Sequence, residues 1–420
     1  MVASLCSLMI LTSSIIVPSA SDAVLIENGA VAIIKGVIRA TGPLESIVKR
    51  FPNQQIHQFR NCVLLPGLIN LHTHIELPAL LHKIKADTFP DWILHLIRVK
   101  KGLHDTDYSS SARENIETLL RTGTTTVGDI CTHGESLPLL RKSGLRAMIF
   151  HEIISMGPMD KGHEGPKLNV RISKERRTSN LIHQGLSPHS PYTVSEIMLR
   201  QIKKMAKTHT FMLCMHVAES KDEIRLLQGG KSGLTKLYQL ANWNPSWAPI
   251  ASSSFEYLQR IGILASNFVA VHAVQIAHVD IAIMKKSRVS IAHCPRSNRE
   301  TGVGRMALSK FLDAGITVGL GTDSLASSPN LNMWDEMRYA CKIHKKDGIT
   351  AKDIFRLATI GGARALGMGK EIGTIEAGKK ADLIAVPLPK KNTGDIYSDL
   401  LRETDSCIMS MVNGEIIFRR

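Results

Sequence analysis

Eight short apolar runs, separated by longer amphipathic segments, recur from Pro66 onward and limit most narrowly what this chain can fold into. They are Leu68 to His74, Thr124 to Ile130, Arg146 to Ile153, Gly185 to His189, Phe211 to Glu219, Phe268 to Val274, Val289 to Pro295 and Thr317 to Ser324. Segments such as Ser111 to Arg121, Ser195 to Lys207 and Met306 to Ala314 lie between them and carry helical periodicity. A parallel strand pair needs a long crossover, so this alternation specifies βα units. Eight units in about 300 residues predict an α/β chain with a (β/α)8 barrel.

The flanks read differently. Residues 1–65 are short strands broken at Glu27-Asn28-Gly29 and Thr41-Gly42-Pro43, and strand character returns at Ala381 to Val386 and Met411 to Phe418. A small composite β-sandwich from residues 1–65 and 366–420 is therefore expected beside a barrel over 66–365. Leu8 to Val17 followed by Pro18-Ser19-Ala20 imitates a secretory leader, but no Lys or Arg precedes the apolar stretch, which predicts a first strand instead. With 44% hydrophobic and 21% charged residues there is ample material for a core, which excludes a disordered or disulfide-stapled chain. The formal charge of +15 comes from scattered basic residues, with only 5% aromatics, so a solvated surface is expected and no nucleic-acid partner. Seven cysteines, odd in number and without a CxxC, read as reduced thiols of a cytoplasmic protein. No stretch of ~18 uncharged apolar residues is present to span a membrane.

Chemistry concentrates at the ends of the strand runs. The first ends His72-Thr73-His74, the fifth His216-Val217-Ala218-Glu219 and the eighth Gly321-Thr322-Asp323, while the sixth contains His272. Residues i and i+2 share a strand face, so His72 and His74 can point together into the barrel mouth, where this fold places its catalytic groups. Imidazoles with one carboxylate suit a divalent cation of the zinc or iron(II) type, with room left for a water. Glu219 stands close enough to such a site to exchange protons; otherwise it opens the next helix and favours its N-terminal dipole.

These motifs resemble the amidohydrolase superfamily, in its branch of mononuclear metal-dependent aminohydrolases acting on nitrogen heterocycles. The likeness runs through Pro66 to His74, Ser187-Pro188-His189-Ser190-Pro191-Tyr192-Thr193, His216 to Glu219, Gly319 to Ser324 and Gly373 to Leu383. The resemblance implies His72, His74, His216 and Asp323 as ligands of one divalent metal, zinc first, with iron(II) or manganese as alternatives. It implies Glu219 as proton shuttle, His272 as the residue orienting the attacking water, and Asp323 as acceptor of that water's proton. The fourth run reads Leu186-Ser187-Pro188-His189, without the lysine that would bridge two metals, which argues for one ion. His189 matches a position that contacts substrate, typically near the ribose hydroxyls, and its other reading is a rim histidine.

Trp92, in Phe89 to Leu94, either stacks on a heterocycle or packs a helix. Arg296, in Cys294-Pro295-Arg296-Ser297-Asn298, either holds a substrate carboxylate or pairs with a neighbouring acid. Together with His74 to Leu77 and Val318 to Glu336, these segments resemble aminodeoxyfutalosine deaminases of menaquinone biosynthesis. Deaminases of methylthioadenosine and adenosylhomocysteine are the alternative, followed by guanine and triazine aminohydrolases; a metal-free binding homologue is the non-enzyme reading. The methylthioadenosine group carries an acid for ribose after the first strand, whereas Trp92 to Leu103 contains no Asp or Glu. The implied partner is a small nucleoside-like substrate, with a homodimer or higher homo-oligomer as the expected assembly.

Overall fold

The computed structural model describes residues 8–21, 24–155, 180–243 and 249–420. Their strands are β1 (Leu8–Ile16), β2 (Ile26–Ile34), β3 (Val37–Pro43), β4 (Gln55–Pro66), β5 (Leu68–Thr73), β6 (Thr124–Cys131), β7 (Arg146–Ile153), β8 (Ile182–Pro188), β9 (Met212–Val217), β10 (Phe268–His272), β11 (Ser290–His293), β12 (Val318–Leu320), β13 (Leu383–Pro387), β14 (Met409–Val412) and β15 (Glu415–Arg419).

Strands β5 to β12 form one parallel sheet in sequential order, and each overlaps one of the eight apolar runs. The continuous apolar character has a simple cause: helices cover one face and the barrel interior the other, so β5, β6, β9 and β10 are buried along their whole length. Helix starts are marked as their sequences suggest. Ser195 caps Glu196–His209 and Ser220 caps Lys221–Leu227, each side chain accepting a backbone N–H two or three residues into the helix.

The barrel seam lies between β12 and β5. Thr73 bridges Asp323, and the Asp323 amide donates to the His72 carbonyl at 3.0 Å. Asn70 adds a two-way clamp, donating to Thr322 Oγ1 at 2.8 Å and accepting from the Thr322 amide at 3.1 Å. Gly321 permits this closeness, because a Cβ there would lie 2.8 Å from the His72 carbonyl oxygen. The first and eighth strands are thereby drawn together at the end that carries His72, His74 and Asp323.

Both chain ends supply the second sheet, ordered β15-β14-β13-β4-β1-β2-β3, with β1 and β4 parallel and the remaining pairs antiparallel. It curls until Val37 bridges Lys380, enclosing Leu11, Val31, Ile33, Leu64, Leu383 and Met411. The apolar stretch at Leu8–Ile16 is its strand β1, paired on both sides. A buried bidentate pair ties this sheet to the barrel: Arg146 donates to Asp382 at 2.8 and 3.0 Å. Removing one partner of such a pair costs about 3–5 kcal/mol. The described cysteines are all free, and only Cys341 is not fully buried; Cys6 lies outside the described residues. Among the described residues no helix is long and apolar enough to cross a membrane.

Candidate metal centre and its cavity

The imidazoles of His72, His74 and His216 meet at the mouth of the barrel, with one potential ligand atom from each lying within 4.8 Å of the others. His72 and His74 arrive from consecutive same-face positions at the end of β5, and His216 from β9 across the barrel. Asp323 faces them from beyond β12, its Oδ1 3.7 Å from His72 Nε2 and 3.5 Å from His74 Nε2. His272 closes the ring at the end of β10, Nε2 3.9 Å from Asp323 Oδ2 and 3.5 Å from Glu219 Oε1. The two carboxylates and four imidazoles named from the strand ends thus converge on one point.

Supporting contacts aim these groups. His216 Nδ1 bonds the His189 carbonyl at 2.9 Å, and His272 Nδ1 bonds Asn298 Oδ1 at 2.8 Å, so each ring turns its Nε2 toward the centre. Asp323 Oδ2 accepts from Ser297 Oγ at 2.6 Å and from Ser327 Oγ at 3.1 Å. Ala218, His272 and Asp323 hold left-handed backbone, with φ of 53°, 71° and 61°. Such conformations cost roughly 1–3 kcal/mol each and persist where surrounding structure over-determines them, typically at functional sites.

The electrostatics fit a cation. Burial drives the pKa of His72 and His272 down to about 4, and that of His74 to about 3, so all three rings are neutral and able to ligate. Burial opposes ionisation of Asp323, yet the nearby His72, with His74 and His272, holds its carboxyl well below the usual range. Burial, with the charges of Asp323 and Glu223, pushes Glu219 well above it. Among the described residues, the Nε2 atoms of His72 and His272 are buried without a hydrogen-bond partner. Orphaned buried nitrogens aimed at a shared point with a carboxylate are what a bound cation would satisfy.

Above the cluster opens a cavity of about 410 Å³, a volume suited to a small organic ligand. The helix Phe89–Lys100 lays Trp92, Ile93, Leu96 and Ile97 along one wall, positions spaced to share one face. Leu240 and Trp243 add apolar surface, while Lys100 and Lys101 stand at the end of that helix. Trp92 therefore lines the cavity and also stacks on Phe89, with ring centroids 6.0 Å apart. His189 reaches the cavity as well, its Nδ1 bonded to Thr193 Oγ1 at 2.8 Å.

Arg296 does not reach it, and its reading as a substrate contact gives way to the alternative. The helix Pro295–Glu300 begins just after β11 and rotates about 100° per residue, so Ser297 and Asn298 face the imidazole–carboxylate cluster while Arg296 turns away. Its guanidinium is buried against Glu336, Nε to Oε2 at 2.5 Å, and donates to Asn330 Oδ1 at 3.0 Å. His293 is likewise internal, bonded to His344 at 3.1 Å.

Sequence reasoning passed over Glu223 and Glu152. Glu223 lies under the Ala218–Glu219 turn, accepting from the Ala218 amide at 2.8 Å and the Glu219 amide at 2.9 Å. Glu152 sits near the end of β7 on the cavity wall. An acid near the end of an apolar run, in Phe150-His151-Glu152-Ile153, is the signal that would have pointed to it.

An amidohydrolase family model matches residues 63–417 of this chain. The 5-methylthioadenosine/S-adenosylhomocysteine deaminase of Syntrophobacter fumaroxidans is 31% identical over 389 residues, covering 89% of this chain and 83% of that protein. The aminodeoxyfutalosine deaminase of Nitratiruptor sp. is 28% identical over 396 residues, covering 93% and 95%. Among solved structures, the aminofutalosine deaminase of Helicobacter pylori in complex with methylthio-coformycin superposes with a TM-score of 0.85 at 22% identity, covering 98% and 100%.

Proposed function

We propose, from the premise that the chain belongs to the amidohydrolase family and is a hydrolase of C–N bonds, that it hydrolytically deaminates an adenosine-like nucleoside. The observation that carries this reading is the convergence of His72, His74, His216 and Asp323 with Glu219 and His272 beneath a cavity of ligand size. His72, His74, His216 and Asp323 would hold one divalent ion, and zinc is the first choice for three imidazoles and a carboxylate. When bound, such an ion supplies a water acidic enough to act as nucleophile at neutral pH.

The chain's own groups do the rest. Asp323 accepts the proton released by the attacking water, and His272 Nε2 orients the incoming oxygen. Glu219, protonated because it is buried beside other acids, donates to the ring nitrogen next to the amino-bearing carbon. Now ionised, it relays the proton held by Asp323 to the departing amine and recovers the proton of the added hydroxyl, so aminopurine plus water gives oxopurine plus ammonia and both carboxyl groups return to their starting states. The cavity wall keeps bulk water off the adduct.

The substrate we favour is aminodeoxyfutalosine, a 6-aminopurine nucleoside bearing a benzoate, which would place the enzyme in menaquinone synthesis in the cytoplasm. Support comes from the long apolar wall of Ile93, Leu96, Ile97 and Trp243, which matches an aryl group, and from Lys100 and Lys101, which can meet its carboxylate in place of Arg296. The identity to deaminases of methylthioadenosine and adenosylhomocysteine favours a second reading, in which the same wall takes a thioether tail. We retain the division into a composite domain of 1–65 and 366–420 and a catalytic barrel of 66–365. Ammonia release is the test, measured across adenosine, 5′-deoxyadenosine, 5′-methylthioadenosine, S-adenosylhomocysteine and aminodeoxyfutalosine. The fastest turnover is expected with the last; no ammonia from any nucleoside by metal-loaded protein would overturn the reading.

A further inference from the structure

The metal cluster accounts for the base of the cavity but leaves open what holds the sugar. The helix Phe89–Lys100 and the residues after it, up to Leu103, offer lysines and no acid from Trp92 onward. Three carboxylates other than Asp323 line the cavity: Glu76, Glu152 and Glu219. Glu219 is engaged in proton transfer. Glu76 is consumed structurally, since its two oxygens accept from the amides of Thr132 at 3.2 Å, His133 at 2.8 Å and Ser136 at 2.9 Å and from the Cys131 thiol at 3.4 Å. It pins the loop after β6 and has no capacity left for a ligand.

Glu152 is different. Its Oε2 accepts from Thr132 Oγ1 at 2.8 Å, and among the described residues its other oxygen has no hydrogen-bond partner. It is only half-buried and opens on the cavity. Burial opposes its ionisation, but His189, His74 and Lys100 hold its pKa down to about 2, so it is a carboxylate at every working pH. Position completes the picture. Glu152 pairs in register with Ser187 on β8, and the His189 amide donates to the Ile153 carbonyl at 3.0 Å. Glu152 and His189 are therefore adjacent on the wall where the third and fourth strands end. His189 commits Nδ1 to Thr193, which leaves its Nε2 for the cavity.

A purine with its amino-bearing carbon over the His72–His74–His216 cluster and its ring nitrogen at Glu219 turns its sugar-bearing edge away from both. We infer that this edge meets the β7–β8 wall and that Glu152 receives the 2′- and 3′-hydroxyls of the nucleoside, with the free oxygen taking one and the Thr132-shared oxygen the other. A lone carboxylate acceptor in a mostly apolar wall selects vicinal hydroxyl donors, because a ligand lacking them leaves the charge unpaired. The substrate class is thereby narrowed to ribonucleosides with a free diol, whatever the group at the 5′ position. This rests on the nucleoside deaminase reading.

The test takes the nucleoside turned over fastest in the ammonia panel and its 2′,3′-dideoxy counterpart, with wild-type protein, Glu152→Gln and Glu152→Ala. Wild type is expected to prefer the diol by roughly thirtyfold or more in kcat/KM, the range for losing hydrogen bonds to a charged group. Glu152→Ala should lower kcat/KM for the diol substrate by a similar factor, mainly through KM, and leave the dideoxy substrate within about threefold. Glu152→Gln, which keeps the shape and one acceptor, should fall between. Equal losses on both substrates, or an undiminished preference in Glu152→Ala, would overturn the assignment and leave the deaminase reading standing. Absence of turnover of every nucleoside by wild type would sink both.

Discussion

Glu223→Gln isolates how Glu219, the carboxylate proposed to shuttle protons, is held in place. Glu223 is 1% exposed and faces two consecutive backbone amides, Ala218 and Glu219, at 2.8 and 2.9 Å, while Ser254 Oγ donates to it at 2.5 Å. Glutamine has the same shape but only one acceptor oxygen. Whichever way its amide turns, one of the two backbone N–H groups loses its partner and faces an NH2. A buried donor left unsatisfied costs about 1–3 kcal/mol. That cost falls on a turn already carrying Ala218 at φ 53°, so the turn is expected to relax and carry Glu219 with it. Since a shift of ~1 Å at a reacting group can cost about 100-fold, kcat should drop by roughly 10- to 100-fold. The ceiling is loss of the general acid itself, ~10²–10⁴-fold. KM should stay within about threefold and metal content unchanged, because neither the proposed ligands nor the apolar wall of the cavity contacts Glu223. Steady-state ammonia release, elemental analysis and urea unfolding on the same preparations decide it. A variant destabilised as expected but with kcat within about twofold of the parent would refute the idea that Glu223 positions Glu219.

Glu219→Gln is expected to keep its metal and lose most turnover, while His72→Ala loses metal; elemental analysis with ammonia release separates the two, and full occupancy in His72→Ala would count against the ligand set. Arg296→Met should destabilise by about 3–5 kcal/mol in urea melts, because it strands the buried Glu336 carboxylate, and should not raise KM for a carboxylated nucleoside selectively. Burial and the charge of Glu76 push Asp129 up to about 7 in the folded chain, against ~3.9 when unfolded. The folded state therefore binds the extra proton between those values, and its stability falls as pH rises from about 4 to about 7, by up to ~1.4 kcal/mol per unit. Asp129→Asn removes that contribution, so urea melts at pH 5 and pH 7 should show a smaller fall in the variant; equal slopes would refute the assignment.

The barrel and the histidine–aspartate cluster were legible in the sequence because both depend on short-range rules. Parallel strands buried on both faces must be continuously apolar, and the closing residues of such strands must face the mouth. His72, His74, His216, His272 and Asp323 therefore announced themselves as polar residues where apolar ones would otherwise continue. The strand at Leu8–Ile16 was recognisable for the same reason, by alternation running on into its neighbours. Side-chain direction just beyond a strand is another matter. Arg296, Ser297 and Asn298 are consecutive, yet the first turn of a helix sends one to Glu336 and the other two to Asp323 and His272. Glu152 and Glu76 are both acids following apolar runs, and only the loop folded over Glu76 consumes one and leaves the other open. Spacing and apolar patterning determined the architecture and which imidazoles and carboxylates stand at the strand ends. Which carboxylates are committed to backbone amides, and which remain for a ligand, was decided by contacts between segments distant along the chain, where no local periodicity applies.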